Sequence, residues 1–295
     1  MLVGPSLAPS RPPGLDKGDT RRAYAGSVPT RAGRVDAAVL RPSRAQQRIE
    51  IGRSEPGEEL AGLVDYFWWV RWDAPEPHEQ EVVPRPVVHV CAERVGSTPR
   101  LLVHGVHPRM FRRRLEGAGH TVAAGFRPAG FRPVLRGDVS ALEGREVPAG
   151  ELLGLDDRPV AEEVLACERP EDGAAVLGRW LASLPREDDP LVAPLAALVE
   201  RAEHDTSLVR AEQLAELAGV SLRTLQRRFR SHVGIGPKWV VQRFRLLDVV
   251  AAAHGDEEVD WAGLAAQLGY ADQSHLIRAF TQLVGHPPAH YARER

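Results

Sequence analysis

The chain has 295 residues, 43% of them hydrophobic, and a formal net charge of −2. That length suggests about two domains with ordinary cores, and a near-neutral average admits a nucleic-acid partner only through a local cationic patch. Cys91 and Cys167 stand alone, without a Cys-x-x-Cys pair, so neither a disulfide framework nor a cysteine-based zinc site is expected; no apolar run reaches about 18 residues, so no helical membrane span is expected either.

Residues 1–48 are rich in Pro, Gly, Ser and Arg without a sustained apolar period, the composition of a disordered tail. A basic arm touching DNA and a merely solvated tail both fit it. The N-terminal MLVGPSLAPSRPPG lacks the charged-then-apolar order of a secretory signal. A reducing cytoplasmic setting is therefore expected.

Residues 49–205 read as a sensing or dimerisation domain, β-rich over 55–135 and helical over 136–205. A helix is expected near Pro56–Asp65. The runs Tyr66–Trp72, Glu81–Val83, Val87–Cys91 and Leu101–Val106 are short, β-branched or aromatic, and separated by Pro- or Gly-bearing segments. Such spacing predicts a small antiparallel sheet or barrel. Helical spacing of Leu, Val and Ala then marks Ala161–Cys167, Ala174–Leu184 and Leu191–His204, with PREDDP at 185–190 as a loop.

Residues 206–295 contain a unit written twice, LAELAGVSLRTLQRRF at 214–229 and LAAQLGYADQSHLIRAF at 264–280. In each, an alanine stands four residues before a glycine, Ala215 before Gly219 and Ala265 before Gly269. The small residue lets a second helix approach, and the glycine can take the positive φ of a tight interhelical turn. Ser221 and Asp272 are placed as N-caps of the following helices. Leu225 with Phe229, and Leu276 with Phe280, are i, i+4 pairs that lie on one buried face.

The opposite faces carry base-reading side chains: Arg223, Gln226, Arg227 and Arg230 in the first unit, and Gln273, Ser274, His275 and Arg278 in the second. Arginine suits guanine, glutamine suits adenine, and serine suits either, from a helix in the major groove. Between Leu217 and Leu247 there is no acidic residue but there are seven basic ones, among them Lys238, Arg243 and Arg245. Such a stretch suits phosphate neutralisation. Pro237 opens a long helix that would hold the two units at the separation of successive major grooves, about 34 Å.

On these residues, GVSLRTLQRRFRSHVGIGPKWVVQRFRLLDVVAA and LAAQLGYADQSHLIRAFTQLVGHPPAHY, the chain resembles the DNA-binding domain of the AraC/XylS family of bacterial transcriptional regulators over about residues 206–292. Tyr270, where Phe is common, and Ile277, where a smaller residue is usual, depart from the pattern. The resemblance implies an α+β protein in which two helix-turn-helix subdomains joined by a long helix follow a separate domain, often a cupin-like barrel. It implies base contacts at Arg223, Gln226, Arg227, Gln273, Ser274 and Arg278, and a double-stranded operator or promoter as partner. A small-molecule effector, a homodimer, and RNA polymerase for an activator are further implied partners.

In the first half, Trp68, Trp69 and Trp72 with Arg85 and His89 suit a pocket for a small apolar or anionic effector, with Trp69, Arg85 and His89 as its candidate contacts. Strand alternation puts Trp68 and Trp69 on opposite faces, so one of them belongs to the core. His104 and His107 with Glu79 or Glu81 sketch a cupin-type metal set, but the spacing is loose and no His-x-His occurs. No metal or cofactor is expected. No Ser-His-Asp, Cys-His or paired-carboxylate arrangement stands out, so no catalytic residue is assigned. A metal-dependent cupin-like enzyme or metal sensor fused to a DNA-binding domain is the competing reading.

Overall fold

The computed structural model describes residues 49–254 and 259–291. The expected tail at 1–48 lies outside them. Among the described residues six strands form one sheet: β1 Ile49–Ser54, β2 Val64–Val82, β3 His89–Val95, β4 Thr98–His104, β5 Phe111–Phe126 and β6 Glu146–Pro148. The order is β1-β2-β5-β3-β4-β6, with every ladder antiparallel. β1 and β6 are, among the described residues, the edges of the antiparallel sheet that the spacing predicts.

Two local expectations change. No helix forms near Pro56–Asp65; Leu60 N–H donates to Gly57 O and Leu63 N–H to Leu60 O, as successive turns that lead straight into β2. Pro56, Gly57 and Gly62 break up a ten-residue window too short to nucleate a helix in spite of them. Conversely, β2 does not stop at Trp72. It runs on through Pro75 and Pro77 to Val82, absorbing them at a register shift against β5 between Ala74 and His78. A bulge is one of the few places where a strand tolerates proline.

Short helices α1 (Arg132–Leu135) and α2 (Ala149–Leu153) follow the sheet. Then come α3 (Arg158–Ala166), α4 (Pro170–Ser183) and α5 (Val192–His204). These last three agree with the expected helices to within a few residues. α3 and α4 cover one face of the sheet. There Phe67, Trp69, Val90, Val122 and Ala124 pack against Val164 and Leu177 in one buried cluster.

The C-terminal helices are α6 (Ala211–Leu217), α7 (Leu222–Arg228) with a π-helical continuation over Phe229–Val233, α8 (Pro237–His254), α9 (Trp261–Gln267), α10 (Gln273–Val284) and α11 (Pro288–Tyr291). They share a second core in which Leu225, Phe229, Phe244, Leu276 and Phe280 are at most 1% exposed. Leu195, Val199 and Ala202 of α5 belong to that core, as do Val83 and Val106 of the sheet domain. The two halves are thus joined by shared apolar packing. Among the described residues no helix is long and apolar enough to cross a membrane.

Candidate nucleic-acid interface and effector cavity

Each repeated unit folds as its residues dictate. In the first, Gly219 takes φ 63° between α6 and α7, and Ser221 Oγ accepts from the Thr224 amide at 3.2 Å. In the second, Gly269 takes φ 74° between α9 and α10, and Asp272 Oδ1 accepts from the His275 amide at 2.7 Å. The backbone at Gly269 also passes so close to Val209 that an added Cβ would lie 2.7 Å from it. Substitution there meets both strain and a clash. Both caps satisfy amides that would otherwise be orphaned at a helix start.

With Leu225 and Phe229 buried beneath α7, Arg223, Gln226, Arg227 and Arg230 are exposed on its other side. With Leu276 and Phe280 buried beneath α10, Gln273, Ser274, His275 and Arg278 are exposed likewise. His275 lies edge-on to Tyr270, with ring centroids 5.4 Å apart. Lys238, in the first turn of α8, is exposed as well.

The basic stretch is less uniform than its sequence. Arg243, read as a phosphate contact, is 4% exposed and turned toward the sheet domain. Its Nη2 donates to Pro108 O at 2.8 Å, and its guanidinium stacks 4.5 Å from the centroid of the Trp239 ring. Burial lowers its pKa to about 10, and it remains a cation at neutral pH. Arg245 is also inward, donating to Ala202 O at 2.6 Å and pairing with Asp248 at 3.5 Å. Helical periodicity explains both corrections, because Arg243 and Arg245 flank the buried Phe244 on a helix that packs on two sides. The available cations are those of α7 and the start of α8.

The sheet face away from α3 and α4 surrounds a cavity of about 240 Å³. Tyr66, Trp68, Val70, Trp72 and Phe111 give it an apolar wall, while Arg85 and His89 supply polar groups. Trp69, a candidate contact, is not there. It is 6% exposed and sits in the core under the helices, because alternation along β2 sends it to the same side as Phe67. Trp72 does line the cavity, with its ring seated against Gly119 of β5, where an added Cβ would lie 2.4 Å from the indole. His89 Nδ1 accepts from Trp68 Nε1 at 3.1 Å. Burial, helped by the neighbouring His104, Arg53 and Arg85, lowers the His89 pKa to about 3, so the imidazole is neutral.

Arg85 faces two ways. It lines the cavity, and its Nη2 donates to both carboxylate oxygens of Glu203 on α5, at 2.7 and 2.8 Å. Its guanidinium also lies 5.9 Å from the centroid of the Phe244 ring on α8. Nearby, the Pro108 carbonyl accepts from both Trp239 Nε1 and Arg243. Neither Glu203 nor Pro108 was visible as functional in the sequence, since nothing local connects partners more than 100 residues apart. The metal set sketched with Glu79 or Glu81 does not form. Both carboxylates pair with Arg112 on β5, and His104 lies between Glu93 and Glu146 instead.

Comparison with known proteins follows the same division. A family described as a helix-turn-helix domain matches residues 214–294, and a domain of unknown function (DUF6597) matches residues 53–148. An AraC-like transcription regulator of Streptomyces lividans is 33% identical over 114 residues, 39% of this chain and 36% of that protein. The transcriptional activator RhaS of Escherichia fergusonii is 31% identical over 87 residues, 29% of this chain and 31% of that protein. The chain thus spans roughly a third of the length of these curated relatives. Among solved structures, the C-terminal domain of AraT from Geobacillus stearothermophilus is 27% identical with a TM-score of 0.30, covering 33% of this chain and 85% of that one. ToxT from Vibrio cholerae is 10% identical with a TM-score of 0.36, covering 83% of this chain and 97% of that one. Over the matched residues 214–294, which hold both helix-turn-helix units and the helix between them, the chain is similar to AraC-like transcription regulators.

Proposed function

We propose that the protein is a sequence-specific regulator of transcription that binds double-stranded DNA through residues 206–295 under the control of residues 49–205. The observation that carries this reading is the matched pair of capped helices α7 and α10. Each buries a Leu–Phe pair and leaves Arg and Gln in solvent. Exposed Arg and Gln near the start of a helix suit base edges in the major groove. Arg223, Gln226 and Arg227 serve the first half-site, and Gln273, Ser274 and Arg278 the second. Arg230, Lys238 and His275 suit backbone contacts around them. A cytoplasmic setting, a homodimer, and contact with RNA polymerase if the protein activates all belong to this proposal.

The cavity supplies the control. Its apolar wall with Arg85 and His89 suits a small apolar or anionic effector. Arg85 cannot change partner without affecting Glu203 on α5, and the cavity loop carrying His107 leads directly to the Pro108 carbonyl that α8 holds. An occupant that prefers one arrangement of these contacts shifts the DNA-binding half toward it by its differential affinity, and by no more.

Selection of bound duplexes from a random pool by the full-length protein tests the reading. Two short motifs with centres about one helical turn apart are expected. Recovery of unrelated sequences, with affinity set by salt alone, would leave a non-specific cationic protein.

A further inference from the structure

The apolar cavity has one polar end. Cys91, Glu93 and His104 meet there, all three buried, and one donor atom of each lies within 4.8 Å of the others. Sheet geometry brings them together. Cys91 and Glu93 alternate along β3 with His89, whose partner across the β3–β4 ladder is His104, so His104 lies diagonal to Cys91 on the same face.

Two charged groups hold this trio from behind. Arg113 pairs with one carboxylate oxygen of Glu93, leaving Oε1 directed at His104 Nε2, 3.3 Å away. On the far side of the imidazole, Nδ1 lies 3.5 Å from Glu146 Oε1, on the β6 residue registered opposite His104. A ligating imidazole is positioned in this way, one nitrogen toward the ion and the other N–H toward a carboxylate. His104 Nε2 is buried with no hydrogen bond of good geometry in the described structure. A plain histidine–carboxylate pair would account for Glu93 and Glu146. It would leave unexplained the buried Cys91 thiol, which lies within 4.8 Å of a donor atom of each of the other two residues.

We infer that Cys91 Sγ, Glu93 Oε1 and His104 Nε2 bind one divalent transition-metal ion of the zinc class, with Arg113 and Glu146 as positioning residues and the fourth coordination position open toward the apolar cavity. Thiolate, imidazole and carboxylate together suit zinc, or cobalt as its spectroscopic substitute. Bond lengths of about 2.0–2.3 Å imply donors roughly 3.3–3.8 Å apart, so side-chain rotation closes the remaining gap. Loading releases the Cys91 thiol proton to solvent as the Sγ–metal bond forms, while His104, ligating as the neutral imidazole, offers its Nε2 lone pair and keeps its Nδ1 proton toward Glu146. A site with a single cysteine departs from the sequence expectation of no cysteine-based zinc site, since its partners are non-local.

The test needs no DNA, so its result is separate from that of the regulator reading. Full-length protein without an affinity tag is stripped with chelator and titrated with Co²⁺, then Zn²⁺, by absorbance and calorimetry. One Co²⁺ per chain is expected, with a thiolate-to-cobalt charge-transfer band that Zn²⁺ removes. Cys91→Ser should abolish that band and Cys167→Ser should keep it. Glu146→Gln, at a side chain 42% exposed, should fold, retain the band and bind about 10–100-fold more weakly. Absence of a stoichiometric ion, a band that survives Cys91→Ser, or unchanged affinity in Glu146→Gln would overturn the assignment. If Cys91→Ser does not fold, the Cys167→Ser and Glu146→Gln results decide it alone.

Discussion

Arg85 Nη2 bonds to both carboxylate oxygens of Glu203, 118 residues away, from a side chain that also walls the cavity. The side chains are 10% and 6% exposed, so the pair is largely shielded from water. A buried pair is weak support for net stability, but breaking one by removing a single partner strands a charge. Glu203→Ala should therefore destabilise the protein by about 3–5 kcal/mol, and Arg85→Met/Glu203→Ala by markedly less. Denaturant melts of the two single variants and the double variant check this. Additive losses would mean that the two residues act independently.

Arg243 and Arg230 stand on the same basic stretch but face different partners. Arg230→Ala should lower the slope of log K against log salt by about 0.9, as expected for one lost phosphate contact. Arg243→Ala should leave that slope unchanged and reduce thermal stability, because it removes a donor from the Pro108 carbonyl and a cation from the Trp239 ring. Salt titrations of DNA affinity, run beside thermal melts, separate the two roles. A flattened slope for Arg243→Ala would return that residue to the DNA face.

His89 makes the acid limb of stability predictable in sign. Its pKa falls from 6.5 to about 3 on folding, so between those values the unfolded chain binds more protons than the folded one. Stability contributed by the neutral imidazole is complete above about pH 6.5 and is lost as pH falls toward 3. His104, His107, Arg53 and Arg85 lie near enough to reinforce this. His89→Gln should flatten the pH dependence of the melting temperature in that window while leaving the value at pH 8 close to the parent's. An unchanged acid limb would show that His89 is solvated and titrates normally.

The legible parts of the sequence were the local ones. Caps at Ser221 and Asp272, turns at Gly219 and Gly269, and the Leu–Phe pairs are all set within four or five residues, and each formed where its spacing placed it. Strand alternation likewise implied that Trp68 and Trp69 separate, without saying which was core; the packing of α3 and α4 decided it. Charge was misleading for Arg243 and Arg245, because a basic stretch does not reveal which side of its helix meets another domain. The Arg85–Glu203 pair and the Cys91–Glu93–His104 cluster were illegible for the same reason. Their partners are brought together by ladder register and domain packing.

The central claim is that α7 and α10 read two separate base steps. It is tested most directly by measuring the affinity of Arg227→Ala and Arg278→Ala for a selected duplex and for its complete set of single-base changes. Each substitution should cost about 1–3 kcal/mol and erase discrimination at one position, the two positions lying about 10 base pairs apart. Equal weakening on every duplex by both variants, or loss of discrimination at the same position, would contradict the account.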